Sequence, residues 1–241
     1  MNGAGTTGEG FAPIHTAVQP SRPCVAVVGS RDFADLDRVR RFVASLPSGV
    51  VLLSGGARGV DRCAALAARA RGLRVLEFFA DWDRDGLYQA GRIRNQRVAE
   101  RCDRMVAFWD GRSTGTHDAW QRAVQLRRHL VLYRLRFVAL VGALAGAPAV
   151  EAPNGTARTE LTLVVDSPGS DGRSIARTYR IAACGDLAAA VAGLPTGKRL
   201  RIRAACRQVF RTDEAGVLRT HRAATYEARS IKRLPGKRRP A

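Results

Sequence analysis

Val50-Val51-Leu52-Leu53-Ser54-Gly55-Gly56-Ala57-Arg58-Gly59-Val60-Asp61 decides the fold of this 241-residue chain. An apolar run rich in β-branched residues breaks at Ser54-Gly55-Gly56 and resumes, past Gly59, in an alanine-rich helical pattern that opens at Asp61. The reading is strand, tight loop, helix. Glycines at a strand exit let a ligand approach the backbone, and the helix N-terminus behind them offers unpaired N–H groups and a partial positive charge. Such a loop suits a phosphate or another anion. It serves equally well as a plain chain reversal, and these residues alone leave both readings open.

Working outward, Cys24 to Gly29 reads as a buried strand, followed by a loop at Ser30-Arg31-Asp32 and a helix carrying Leu36, Val39, Val43 and Leu46 at helical spacing. Beyond the opening stretch come a helix to Arg71, a strand from Arg74 to Ala80, a polar loop with Trp82 and a helix over Ala90 to Arg101. Met105 to Trp109 is a strand, Gly111 to Thr116 a loop, His117 to Arg128 a helix and Leu130 to Tyr133 a closing strand. This β-α alternation with short connections predicts a parallel sheet covered on both faces. In such sheets ligands bind at the carboxyl ends of the strands, where Ser30, Arg31, the Ser54 to Asp61 loop, Trp82 and the Gly111 to Asp118 segment all fall. The position of the glycine loop at such an end, with Ser30, Arg94 and Thr116 at neighbouring ends, favours the anion cradle. Neither GxGxxG nor the lysine-bearing P-loop is present, which argues against a nicotinamide dehydrogenase or an NTPase.

From Phe137 the alternation stops. Strands are predicted over Phe137 to Leu144, Ala157 to Asp166, Thr178 to Cys184, Arg199 to Phe210 and onward through Ile231, with a polar loop at Ser167 to Arg177 and a helix at Asp186 to Ala192. Five strands with a helix between the third and fourth is the OB-fold order. The domains expected are therefore 23–135 and 136–234, flanked by a disordered segment 1–22 and a basic tail 235–241. The closing strand of the first domain runs almost directly into the barrel at Arg136, which predicts a fixed arrangement of the two.

Formal net charge is +19, of which +11 falls from residue 136 onward, so both halves are basic and favour polyanionic partners. Five scattered cysteines without a CxxC pair, and four histidines, indicate neither a zinc site nor a disulfide framework, and no cofactor or metal is expected. No apolar run is long enough for a membrane span and no signal peptide is visible, so the expected location is cytoplasmic, with no membrane partner.

Gly29-Ser30-Arg31-Asp32-Phe33, Ser54 to Asp61, Ala80-Asp81-Trp82, Gly91-Arg92-Ile93-Arg94-Asn95 and Phe108-Trp109-Asp110-Gly111 with Ser113, Gly115-Thr116 and Asp118 resemble the YspA-like branch of the SLOG superfamily, which also holds Lonely-guy phosphoribohydrolases and DprA/Smf DNA-processing proteins. The resemblance implies a Rossmann-like domain binding a nucleotide, a nucleotide-derived ligand or a DNA end. The expected contacts are Gly29, Ser30, Arg31, Ser54, Gly55, Gly56, Arg58, Gly59, Asp61, Trp82, Arg94, Asn95, Gly115 and Thr116. Arg94 suits bidentate grip of phosphate, Thr116 either caps a helix or meets an anion, and Trp82, read in a loop, suits base stacking. Lonely-guy enzymes place a glutamate where this chain has Ala119. Arg94 and Asp118 are the catalytic candidates for N-glycosidic cleavage, but a shift of one helical position turns a side chain by about 100°. Binding is thus favoured over hydrolysis.

Phe137 to Gly142, Pro148, Asn154 to Ala157, Tyr179 to Cys184 with Gly185 to Ala188, and Gly197-Lys198 resemble bacterial single-stranded-DNA-binding proteins (SSB). In Leu200-Arg201-Ile202-Arg203-Ala204 a period of two sets both arginines on one face. Arg173, Arg177, Tyr179, Lys198, Arg201, Arg203 and Phe210 are the candidates for single-stranded DNA, and the SSB resemblance implies a homo-oligomer. The competing expectation is a nucleotide phosphoribohydrolase whose barrel serves oligomerisation or targeting.

Overall fold

The computed structural model describes residues 22–152, 154–168 and 173–235. The segment 1–22 and the tail 235–241, apart from Arg22 and Pro235, lie outside the described residues, as does most of the connection after Pro168.

The first domain runs β1 (Cys24–Gly29), α1 (Leu36–Ala44), β2 (Val51–Ser54), α2 (Val60–Ala70), β3 (Arg74–Glu77), α3 (Trp82–Arg101), β4 (Arg104–Trp109), α4 (Thr114–Gln125) and β5 (His129–Leu144). Its strands lie in the order β3-β2-β1-β4-β5, all parallel. Alternation along β1 divides the core: Val25 and Val27 pack with Val39, Val43, Ala64 and Phe108 on one face, while Ala26 and Val28 pack with Val98, Met105, Ala119 and Leu132 on the other. Chain order reverses between β1 and β4, and that reversal opens a crevice at the strand ends.

The second domain adds β6 (Arg158–Pro168), β7 (Ser174–Cys184), α5 (Asp186–Ala189), β8 (Arg199–Thr212) and β9 (Leu218–Arg233). Pairings β5–β6, β6–β7, β7–β9, β9–β8 and β8–β5 close a five-stranded barrel, with Leu161, Leu163, Ile181, Leu200 and Ile202 inside. Gly142 allows β5 to press against β6, because a Cβ there would overlap the Val164 carbonyl oxygen.

Several boundaries differ from the sequence reading. The strands expected at Leu130 to Tyr133 and Phe137 to Leu144 are one 16-residue strand, β5. Residues 134 to 136 fell between the two expected strands, yet the backbone of Arg134 pairs with Trp109 on one side and Gln208 on the other. Its guanidinium lies 5.0 Å from the Phe210 ring centroid, so the charge is accommodated without breaking the ladder. Trp82 is the first residue of α3 and not a loop residue; Asp81 caps that helix by accepting the Arg84 N–H at 3.1 Å. The polar run Trp82 to Ala90 has no apolar stripe, and Gly86 adopts a non-helical φ of 73°, so no helical period was visible there. Helix α4 starts at Thr114, three residues before the expected His117, because Ser113 supplies the cap. The polar loop assigned to Ser167 to Arg177 is largely ladder: Pro168 pairs with Ser174, and Arg177 is exposed on β7 opposite Val165.

Candidate functional site

The crevice at the strand ends is a cleft of about 1070 Å³. It is lined from the first domain by Gly29, Arg31, Asp61, Trp82, Arg92, Arg94, Asn95, Arg112 and the Ser113 to Ala119 turn, and from the barrel side by Arg136, Phe137 and Arg203.

At its floor the glycine loop folds around Asp61, the second residue of α2 and only 3 % exposed. The Asp61 carboxylate accepts the Gly29 N–H at 2.9 Å and the Gly55 N–H at 3.1 Å. Ser54 bonds the Asp61 carbonyl through its hydroxyl, which in turn accepts the Gly56 N–H. The strand-exit donors that suit an anion are therefore taken by an internal carboxylate. Arg94 donates to the Gly55 carbonyl and, at 2.9 Å, to Asn95 Oδ1. A side chain at residue 55 would strike the Arg94 guanidinium, so Gly55 serves close packing within the protein.

Burial is the largest influence on Asp61 and pushes its carboxyl from 3.8 up to about 6, against the Arg94 charge and the backbone N–H groups of Gly29, Ala57 and Gly55. The folded value lies above the unfolded one, so the stability this group gives is full below about pH 4 and is lost as pH rises through 6, roughly 3 kcal/mol in all. Asp61→Asn removes that titration. Its unfolding free energy, measured by urea denaturation from about pH 4 to 6.5, is expected to lack the fall seen in the wild type. Curves of the same shape would contradict the assignment, whatever their constant offset.

The second loop is built on Ser30, Asp110 and Ser113. Asp110 accepts the N–H groups of Arg112 at 2.9 Å and Ser113 at 2.8 Å. Burial pushes the Asp110 carboxyl up, but these donors and the Ser30 hydroxyl outweigh it and hold the group below its ordinary value. Ser113 caps α4 by accepting the Thr116 N–H at 3.3 Å, and Thr116 Oγ1 lies 3.0 Å from Ser113 Oγ and 3.4 Å from the Ser30 hydroxyl. Thr116 is thus a buried link and Ser113 the cap. Exposed Thr114 and Gly115 form the rim of the α4 N-terminus in the cleft.

Asn95 joins the two catalytic candidates. It accepts from Arg94 and donates from Nδ2 to Asp118 Oδ2 at 2.8 Å and to the Gly115 carbonyl at 3.1 Å. Asp118 also accepts from Arg122 at 2.9 Å and faces Arg92 at 3.6 Å. Burial raises its pKa, yet the hydrogen bonds from Arg122 and Asn95 and the charges of Arg122 and Arg92 hold it below the ordinary carboxylate range. Ala119, where Lonely-guy enzymes carry glutamate, is buried beside it.

Of the other candidates, Arg31 and Arg58 are exposed, and Trp82 is 46 % exposed on the cleft wall. Arg201 and Arg203 are exposed on β8, Arg177 on β7, and Arg173 precedes β7; Lys198, just before β8, is half-buried. The aromatic candidates lie elsewhere. Tyr179 packs edge-on to Tyr226 at 5.3 Å against the barrel core, and Phe210 packs against the core of the first domain. The sequence reading missed Arg92, Arg112, Ser113 and Arg136 as lining residues, and it missed Phe137, which is 41 % exposed with the Arg203 guanidinium 5.2 Å from its ring centroid. Alternation along β5, with Val138, Leu140 and Leu144 inward, was the signal for an outward Phe137. Among the described residues no cluster of His, Cys, Asp and Glu could hold a metal, and no helix is long and apolar enough to cross a membrane.

No curated protein matches the chain in sequence. Similar solved structures include DNA processing protein A (DprA) from Streptococcus pneumoniae, 23 % identical with a TM-score of 0.41, over 45 % of this chain and 49 % of that one. The small single-stranded DNA-binding protein from Streptomyces coelicolor is 16 % identical with a TM-score of 0.31, over 41 % of this chain and 91 % of that one. PriB from Ralstonia solanacearum is 14 % identical with a TM-score of 0.29, over 40 % of this chain and 95 % of that one. The chain thus spans about half the length of the DprA structure it matches. Residues 23–84, from the first strand to the start of the third helix, match the YspA, cpYpsA-related SLOG family.

Proposed function

We propose that this chain is a nucleic-acid-binding protein in which the first, Rossmann-like domain takes a nucleotide, a nucleotide-derived ligand or a DNA end, and the OB-like barrel holds single-stranded DNA. One observation carries the reading: Arg31, Arg92, Arg94, Arg112, Arg136 and Arg203 converge on a single open cleft. Four aspartates share that lining, Asp32, Asp61, Asp110 and Asp118. Three of them are already enclosed by hydrogen bonds, Asp61 and Asp110 by backbone N–H groups and Asp118 by Asn95 and Arg122. Arg94 is committed to the Gly55 carbonyl and Asn95, and Arg92 faces Asp118, which leaves the exposed Arg31, Arg112, Arg136 and Arg203 for a polyanion, which gains by releasing counterions. Exposed Trp82 and Phe137 add flat apolar surface of the kind unpaired bases use.

Binding is preferred to hydrolysis. Asp118, the carboxylate candidate for that chemistry, is tied into an ion network and the residue after it is a buried alanine, so it does not stand unencumbered over a glycosidic bond. Self-association through the barrel and a cytoplasmic setting belong to the same reading.

Anisotropy titrations with labelled single- and double-stranded oligonucleotides across a salt series test it. Single strands are expected to bind more tightly, with log K falling linearly against log salt. Equal affinity for the two forms at moderate salt would remove the proposal.

A further inference from the structure

The strand-end cleft has a neighbour. Arg112, Phe137 and Arg203 line it and also line a second hollow of about 350 Å³, which Val138, Ala139, Arg201, Ser230 and Lys232 complete. Among the described residues no carboxylate lines this second hollow. Ladder register explains its charge: Arg203 sits between Ala139 of β5 and Ser230 of β9, and Arg201 sits between Val141 and Lys232. Residues two apart share a face, so the outer surface of β5, β8 and β9 carries a cationic row that starts at Phe137 and leads away from the first domain.

We propose that one single-stranded DNA segment runs continuously from the strand-end cleft, past Arg112, onto the outer face of β5, β8 and β9, with a base stacked on Phe137 where it crosses. The inference rests on the reading above and specifies its path. Arg112 is the first-domain residue common to both hollows, and Phe137 and Arg203 are their common barrel residues, so the two surfaces meet at three side chains. An exposed ring with a guanidinium lying over it brings aromatic surface and a phosphate contact together, the pair of interactions a single strand uses. A duplex, whose bases are already stacked, has none to give Phe137. The outer surface of β6 and β7 is a weaker competitor, since Arg180 there faces Glu160 at 4.0 Å, and Tyr179, the aromatic candidate on β7, is packed against Tyr226 on the core side.

The test is anisotropy on the full-length chain with a fluorescent oligo-dT. Phe137→Ala and the apolar but non-aromatic Phe137→Leu are each expected to weaken binding about 5- to 150-fold, the range that loss of one base stack gives. Arg112→Gln and Arg203→Gln should each lower the salt slope by about 1. Arg158→Gln and Arg180→Gln, on β6 and β7, should change affinity by less than about twofold, as surface charges off the path do. Wild-type binding that is lost with Arg203→Gln but indifferent to Arg112→Gln would confine the strand to the barrel and overturn the continuous path. Binding sensitive only to Arg158 and Arg180 would overturn the chosen face while leaving single-strand binding intact. Absence of wild-type binding would overturn the function itself.

Discussion

Phe108→Ala is expected to lower the unfolding free energy by about 4 kcal/mol, the middle of the range for deleting a buried aromatic ring. Phe108 is fully buried in β4, which has β1 on one side and β5 on the other. Its ring lies 5.7 Å from Phe33, 6.1 Å from Phe42 and 5.1 Å from Tyr133, with edge-on contacts to the first two and a stacked contact to the third. Paired strands on both sides keep the backbone from collapsing into the vacated volume, so the cost includes a persistent cavity as well as lost transfer energy. For a chain of this size the melting temperature should fall by roughly 10 °C. Chemical denaturation checks the free energy directly, and a loss below about 1.5 kcal/mol would mean the site repacks as volume-conserving swaps do.

Gly59→Ala is the second large effect, about 3 kcal/mol or more. Gly59 is the cap of α2, with φ 77° and ψ −122°, a region that side chains of L-residues rarely adopt. A Cβ there would overlap the Arg31 carbonyl oxygen, so the loops after β1 and β2 must part. Both steric and conformational penalties therefore apply, each of about 1 to 3 kcal/mol. Gly72→Ala separates them: it also has a positive φ, 70°, but open space where the side chain would sit, so only about 1 to 2 kcal/mol is expected. Equal losses in urea denaturation for the two variants would show that the contact with Arg31 is not what makes Gly59 necessary.

Alternating strands and helices were legible because the apolar runs of β1, β2 and β4 are buried in the sheet and α1, α2 and α4 each bury apolar residues at helical spacing. The bounds of β1 follow from Cys24 to Gly29 without adjustment. What escaped the sequence depends on neighbours brought together by the fold. Asp61 read as a helix-opening residue facing a ligand; only the folded loop shows its carboxylate closing on Gly29, 32 residues away. Asn95 read as one contact among many, and only the approach of α3 to α4 makes it the bridge between Arg94 and Asp118. Tyr179 and Phe210 read as candidates because they are the aromatics nearest the positions the SSB resemblance points to, yet packing partners claim them. Phe137 was read as the first residue of a new strand, and splitting β5 between Tyr133 and Phe137 hid the alternation that turns its ring outward.

That same strand has a mechanical consequence. Within β5, residues 131 to 134 bond to β4 on one edge and β8 on the other, and the ladder with β8 continues to Ala143. Many two-domain clefts shut around their cargo by swinging about a flexible joint. Here the joint is a stretch of backbone hydrogen-bonded on both edges, and bending it would shear ladders in both domains at once. These ladders therefore hold the walls of the cleft at one width, and what can adjust there is exposed side chains, Arg31, Trp82, Arg112 and Phe137 among them.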